Sequence, residues 1–168
     1  MKKRKNSKNN LKEIDLDCYF MDKALKEAKK AYQKDEVPVG AILVSKEGEI
    51  LARAHNTSEH GKSALAHAEI KVLEKASSKL KQTRLWDSTI YVSLEPCPMC
   101  ATAISMMRVK RVVFGAENPK GGAILNGIKI YENQPNLYKP EITPFVLKEE
   151  ASTLLTEFFK TKRQKDKN

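Results

Sequence analysis

A two-strand hairpin followed by strands and helices in alternation is an order that few folds accept. Residues 39–44 form a short continuous apolar run, the pattern of a buried strand. Lys46-Glu47-Gly48 is a turn, and residues 49–54 read as the hairpin partner. Residues 66–76 then carry helical spacing through Ile70, Leu73 and Ala76, and residues 89–94 are a β-rich strand. Pro96 leads into a helix over 97–107, and 111–115 is a further strand. Before the hairpin, Phe20 or Met21, Ala24, Leu25, Ala28, Ala31 and Tyr32 recur at helical spacing; Asp15 or Asp17 is placed to cap that helix and Pro38 to end it. The expected class is α/β, a sandwich of helices on a mixed sheet.

The remainder is less regular. Residues 118–127 are a Gly- and Asn-containing loop, 128–140 a short helix or turn, and 141–146 a possible last strand. An amphipathic helix over 148–165 runs through Ala151, Leu154, Leu155, Phe158 and Phe159. The expected organisation is one domain over 15–165 between a basic, disordered tail at 1–14 and a short tail at 166–168.

Composition narrows the class of protein. No apolar run approaches the ~20 residues of a membrane helix, and the charged N-terminus lacks the apolar core of a secretory signal. There are three cysteines, Cys18, Cys97 and Cys100. An odd number with one C-x-x-C argues against a disulfide framework and for a reducing cytoplasm. The net charge of +10 resides in residues 1–12 and 160–168, which leaves 13–159 net neutral. Basic ends of this kind attract polyanions, although solvated tails have the same composition.

Cys97 and Cys100 are neighbours on one helix face, so both sulfurs can meet one ion. They open a helix directly after a strand, where partial positive charge favours thiolate. The pair alone also fits a redox dithiol. His67 and Glu69 stand about 200° apart on an ideal helix, which prevents both from ligating one metal from one face. That spacing suits a division of labour, with His67 on the metal and Glu69 across the pocket. Zn²⁺ with two thiolates and one neutral imidazole is neutral and keeps a fourth position open for water, as a catalytic site does. Cys18 reads as a core residue, His55 and His60 as structural or solvated, and Trp86 as a packing residue.

His67-Ala68-Glu69 with Pro96-Cys97-x-x-Cys100 is the signature of the cytidine deaminase-like superfamily. Within it the chain resembles the bacterial tRNA adenosine deaminases. The resemblance is carried by Glu36-Val37-Pro38-Val39-Gly40-Ala41, by Asn56 eleven residues before His67, and by Leu94-Glu95-Pro96-Cys97-Pro98-Met99-Cys100-Ala101. Arg111-Val112-Val113-Phe114-Gly115-Ala116 and the ending from Leu154-Leu155 to Phe158-Phe159 extend it over roughly residues 17–165. Departures are Ser63-Ala64-Leu65-Ala66 before His67, where Ser63 is placed to cap the helix, Asn118 where many members carry Asp, and Leu125-Asn126-Gly127 beyond Gly122.

The resemblance implies a three-layer α/β/α sandwich with a five-stranded mixed sheet and one Zn²⁺ per chain on His67, Cys97 and Cys100. It implies hydrolytic deamination of adenosine to inosine in tRNA at the anticodon wobble position, with Glu69 moving the protons. Asn56 and the backbone N–H of Ala68 would hold the flipped base, Asn118 would border it, and Phe158, Phe159 and Arg163 would meet the RNA. A cytoplasmic homodimer acting on the tRNA anticodon stem-loop is the expected assembly. Two other readings remain open. One is a deaminase of a free base or nucleotide. The other is a non-catalytic zinc-stapled RNA-binding module, which needs a fourth protein ligand such as His55, His60 or Cys18.

Overall fold

The computed structural model describes residues 3–165, with side chains from Ile14 onward. The expected tails therefore lie only in part outside the described residues. Positions 1–2 and 166–168 are not described, and 3–13 are described in backbone alone, as part of the first helix.

Five helices and five strands follow in the order α1 (Lys3–Gln33), β1 (Gly40–Val44), β2 (Ile50–His55), α2 (Ala68–Leu80), β3 (Thr89–Leu94), α3 (Pro98–Met106), β4 (Arg111–Ala116), α4 (Ile130–Asn133), β5 (Glu141–Thr143) and α5 (Lys148–Lys165). The sheet order is β2-β1-β3-β4-β5. Strand β1 pairs antiparallel with β2 and β3, whereas β3–β4 and β4–β5 are parallel. The sheet is thus mixed and five-stranded, as expected, and its parallel half is built by the α3 and α4 crossovers.

Alternate residues of the buried strands face opposite layers. Ile42 and Val44 of β1, with Tyr91 and Val113, pack on Phe20, Met21, Ala24 and Leu25 of α1 and Ala151 of α5. Ala41 and Leu43, with Ile90, Val92, Val112 and Phe114, pack on Val72, Leu73 and Ala76 of α2 and Ile104 of α3. This period of two explains why both faces of β1 and β3 are apolar. Gly40 is required at the start of β1 because the backbone of α1 at Ala24 and Ala28 crosses where a Cβ would stand.

Four local expectations need correction. Asp17 does not cap α1 but lies within it, buried; its carboxylate accepts from Arg111 Nη1 and Nη2 at 2.9 and 2.7 Å and from Tyr91 Oη at 2.8 Å. Asp15 is likewise internal to α1. The helix ends at Gln33, well before Pro38, through a turn in which Asp35 takes a left-handed conformation (φ 60°). Strand β5 is only three residues long, because Pro144 removes a ladder donor and Phe145 adopts positive φ. Trp86 is not packed inside: it is 60% exposed and makes an edge contact with Tyr138.

Candidate metal and active site

Two helix N-termini converge at one end of the sheet. His67 is the N-cap residue of α2, in extended backbone (φ −71°, ψ 151°), and Cys97 holds the same place on α3 (φ −74°, ψ 171°), with proline at the start of that helix. Neither side chain caps its helix. Because His67 precedes α2, its ring points into the space that Glu69, on the first turn, also borders. Ser63 does not cap α2; its amide donates to Ser58 O at 3.0 Å within the preceding loop.

His67 Nδ1 lies 3.7 Å from Cys97 Sγ and 3.5 Å from Cys100 Sγ. Bond lengths of about 2.0–2.1 Å for zinc–nitrogen and 2.3 Å for zinc–sulfur at tetrahedral angles place such atoms ~3.6 Å apart. The donor set therefore fits one zinc ion without rearrangement. Among the described residues these three form a cluster whose ligating atoms all lie within 4.8 Å of one another. The fourth ligand that a structural zinc module would need is not offered by the residues considered for it. His55 Nδ1 is 3.2 Å from Glu27 Oε2, His60 Nδ1 is 3.1 Å from Glu36 Oε1, and neither they nor Cys18 joins the cluster.

The electrostatics match metal binding. Contact with the Cys100 thiol and with His67 pulls the Cys97 thiol down to about 4. The same contact with Cys97, together with burial, pushes Cys100 up, and contact with Cys97 raises His67. Cys97 thus favours the thiolate while Cys100 keeps its proton, which a divalent cation would displace. Glu69 is 4% exposed, and burial raises its carboxyl above its ordinary value.

The triad opens on a cavity of about 310 Å³ bordered by Glu69, Ala68, Asn56, Asn118, Val37, Val39, Leu94 and Glu95 among others, within the size range of small-molecule sites. Asn56 is fixed at both ends of its amide. Nδ2 donates to Glu36 Oε2 at 3.3 Å and Oδ1 accepts from Ser58 Oγ at 2.8 Å. Each end thereby uses one of its two hydrogen-bonding positions. The Asn118 backbone N–H donates to Glu95 Oε2 at 3.1 Å, and its side-chain Oδ1 accepts from Gly121 N at 3.0 Å.

Three of the residues expected to meet RNA stand away from this cavity. Phe158 is buried against Tyr32, their ring centroids 5.6 Å apart. Phe159 beside it is 43% exposed, so one of the adjacent pair faces the core and the other does not, as α-helical spacing requires. Arg163 is exposed on α5. Nearby Lys162 Nζ bonds Asp35 Oδ2 at 2.6 Å, which ties the end of α5 to the turn before Glu36. Glu36 and Glu95 carry no role in the sequence reading, yet both are fully buried carboxylates, Glu36 behind the cavity wall and Glu95 in it.

This site and fold define a zinc-dependent deaminase, and comparison with known proteins agrees. Residues 14–116 match the cytidine and deoxycytidylate deaminase zinc-binding region. The tRNA-specific adenosine deaminase of Bacillus subtilis (strain 168) is 46% identical over 151 residues, covering 90% of this chain and 93% of that protein. A solved structure from work on A-to-I editing by tRNA:A34 deaminases at the wobble position of transfer RNA shares 40% identity and a TM-score of 0.79, covering 82% of this chain and 99% of that one. A guanine deaminase from Bacillus subtilis is 35% identical with a TM-score of 0.56, but over only 59% of this chain and 63% of that one. The chain belongs to the tRNA-specific adenosine deaminase family.

Proposed function

We propose that the protein hydrolyses the 6-amino group of adenosine in tRNA to give inosine, at the anticodon wobble position. The observation that carries the chemistry is one cavity holding both a three-ligand metal site and a buried carboxylate, Glu69. The substrate rests on similarity to tRNA-specific enzymes along nearly the whole chain.

His67 as neutral imidazole and Cys97 and Cys100 as thiolates hold the zinc. When bound, zinc supplies a Lewis acid that makes water acidic enough to act as a nucleophile near neutral pH. Glu69 takes the proton of the water that adds to C6, delivers it to N1 of the purine, and later helps protonate the departing ammonia. Asn56, held by Glu36 and Ser58, offers its remaining donor and acceptor to the base, and the Ala68 N–H supports it from the start of α2. Asn118 borders the base from the opposite loop. Phe159, Arg163 and the basic end of α5 meet neighbouring nucleotides, while Phe158 stays in the core.

Leu65 and Met106, each 63% exposed, and Ile128, 53% exposed, are large apolar side chains left in solvent; we read them as part of a homodimer face. Thiolate ligands suit a reducing compartment, the cytoplasm. Among the described residues no helix is long and apolar enough to cross a membrane. Free guanine is the second substrate to consider, given the partial likeness to a guanine deaminase. Sequencing inosine in tRNA incubated with the purified protein tests the assignment: inosine at the wobble position supports it, and unmodified tRNA opposes it.

A further inference from the structure

Glu95 directly follows β3, at the turn into Pro96-Cys97, and is 1% exposed. Its carboxylate receives five hydrogen bonds from the loop across the cavity. Oε1 accepts from the amides of Ile124, Leu125 and Asn126 at 3.1, 2.7 and 2.9 Å. Oε2 accepts from Asn118 N at 3.1 Å and from Asn126 Nδ2 at 2.6 Å. All five donors are uncharged. Three successive amides converging on one oxygen form an anion-binding nest, and here the anion is the protein's own side chain. The loop closes on it so tightly that a Cβ at Gly122 would stand 2.6 Å from Oε2.

The loop from Asn118 to Asn126 is otherwise without a regular helix or strand, yet it supplies Asn118 to the cavity wall. Its shape must come from what it is tied to. The Pro96 carbonyl adds one tie, accepting from Ala123 N at 3.0 Å. Ala123 and Ile124 are buried in the core, and Ile130 N donates to Ala123 O at 2.7 Å; the carboxylate adds five further ties, from a residue two positions before a candidate zinc ligand. Of the ties between the metal-bearing turn and this loop, most therefore come from one side chain.

We propose that Glu95 is a positioning residue that sets the substrate-facing loop at 118–126, and that Asn126 is its side-chain partner in doing so. The pair acts on how well the base is held, not on the metal or on proton transfer. This rests on the deaminase reading above. It also gives the Leu125-Asn126-Gly127 departure a role: Asn126 is the residue that lets this loop complete the carboxylate's shell.

The test is Asn126→Asp, which keeps size but turns a donor into a like charge, with Glu95→Gln as a second variant should the first fail to fold. Zinc content, steady-state kinetics and amide hydrogen exchange are measured on each. Substrate is whichever of an anticodon stem-loop and free guanine the wild type turns over. Failure of the substrate reading thus shows in the wild type, and failure of the clamp in the variants. We expect one zinc per chain, kcat within about threefold, and KM raised about tenfold, the scale of one charge-assisted hydrogen bond. Amides of Ile124, Leu125 and Asn126 should exchange faster while those inside α3 do not. An unchanged KM overturns the proposal, as does joint loss of zinc and kcat, which would make Glu95 a support of the metal turn alone.

Discussion

Replacing Glu69 by Gln removes the one group in the cavity suited to carry protons, at almost no change in volume. Three carboxylates border the cavity: Glu59, Glu69 and Glu95. The oxygens of Glu95 are occupied by five donors, and Glu59 lies on the exposed outer loop. Neither can stand in for a buried carboxyl beside His67 and Cys100. The loss should therefore be the full contribution of a general acid–base group, about 10²–10⁴-fold in kcat, or ~2.7–5.4 kcal/mol of barrier. Use of the same carboxylate in successive proton transfers places the expectation at the upper end. Zinc content, fold and RNA affinity should be retained, because Gln fills the same space and ligates nothing. Single-turnover inosine formation, with zinc analysis and RNA binding measured alongside, is the assay. A mutant within tenfold of wild type would falsify the role, and loss of zinc would move Glu69 into the metal's coordination.

Cys97→Ser and Cys100→Ser should each lose zinc and activity together, with Tm falling about 5 °C or more as metal-coupled stability is lost; full zinc occupancy in both would refute the ligand assignment. Removing residues 160–168 should weaken RNA binding more than it slows turnover of bound RNA. Each lost phosphate contact should flatten the log–log salt slope by ~0.7 if the contacted RNA is single-stranded; an unchanged slope would make that run a solvated end. Glu36→Gln should lower stability at neutral pH and flatten the acid limb of a melting profile. Burial pushes the Glu36 carboxyl up, but hydrogen bonds from the His60 and Glu59 amides outweigh it and hold the group below its ordinary 4.5. Its contribution is then present above about pH 4.5 and lost as pH falls through the lower folded value. Wild-type and mutant profiles that stay parallel from pH 3 to 7 would contradict this.

The clustering of His67, Cys97 and Cys100 beside Glu69 is legible in the chain because metal chemistry demands particular residue types at particular spacings. Cys97 and Cys100 share a helix face, and the turn before Ala68 brings His67 to them. The strands are legible because buried β segments are short, apolar and punctuated, as at Gly48. Glu36 and Glu95 are not. Their partners are mostly backbone amides, at Glu59 and His60 for one and across the 118–126 loop for the other, and amides leave no mark in a sequence. Strong burial of a carboxylate also runs against composition, so each reads as a surface charge until the loop is seen wrapped around it. Asp17 misleads in the same way: an acid near a helix start resembles a cap, and only the fold reveals Arg111 beside it. Ser63 fails as a cap because the loop turns toward Ser58, which leaves His67, a candidate ligand, at the head of α2. Trp86 shows the opposite error, since a large aromatic before a strand is expected inside and instead stands in solvent against Tyr138.

On the proposed function, this cavity acts on a base presented by an RNA loop. A loop would, on that reading, offer phosphates to the basic end of α5 and neighbouring bases to Phe159, where stacking is worth ~1–3 kcal/mol per base in single-strand binders. Its target is already unpaired, so swinging it toward the metal costs less than in a duplex. The direct measurement is initial-rate kinetics of the zinc-loaded protein on four substrates at equal concentration: an anticodon stem-loop with adenosine at the wobble position, adenosine, cytidine and guanine. The stem-loop should be deaminated at least about a hundredfold faster than any of the three small molecules, the equivalent of ~2.7 kcal/mol of added transition-state stabilisation. A free base or nucleoside turned over fastest would contradict it.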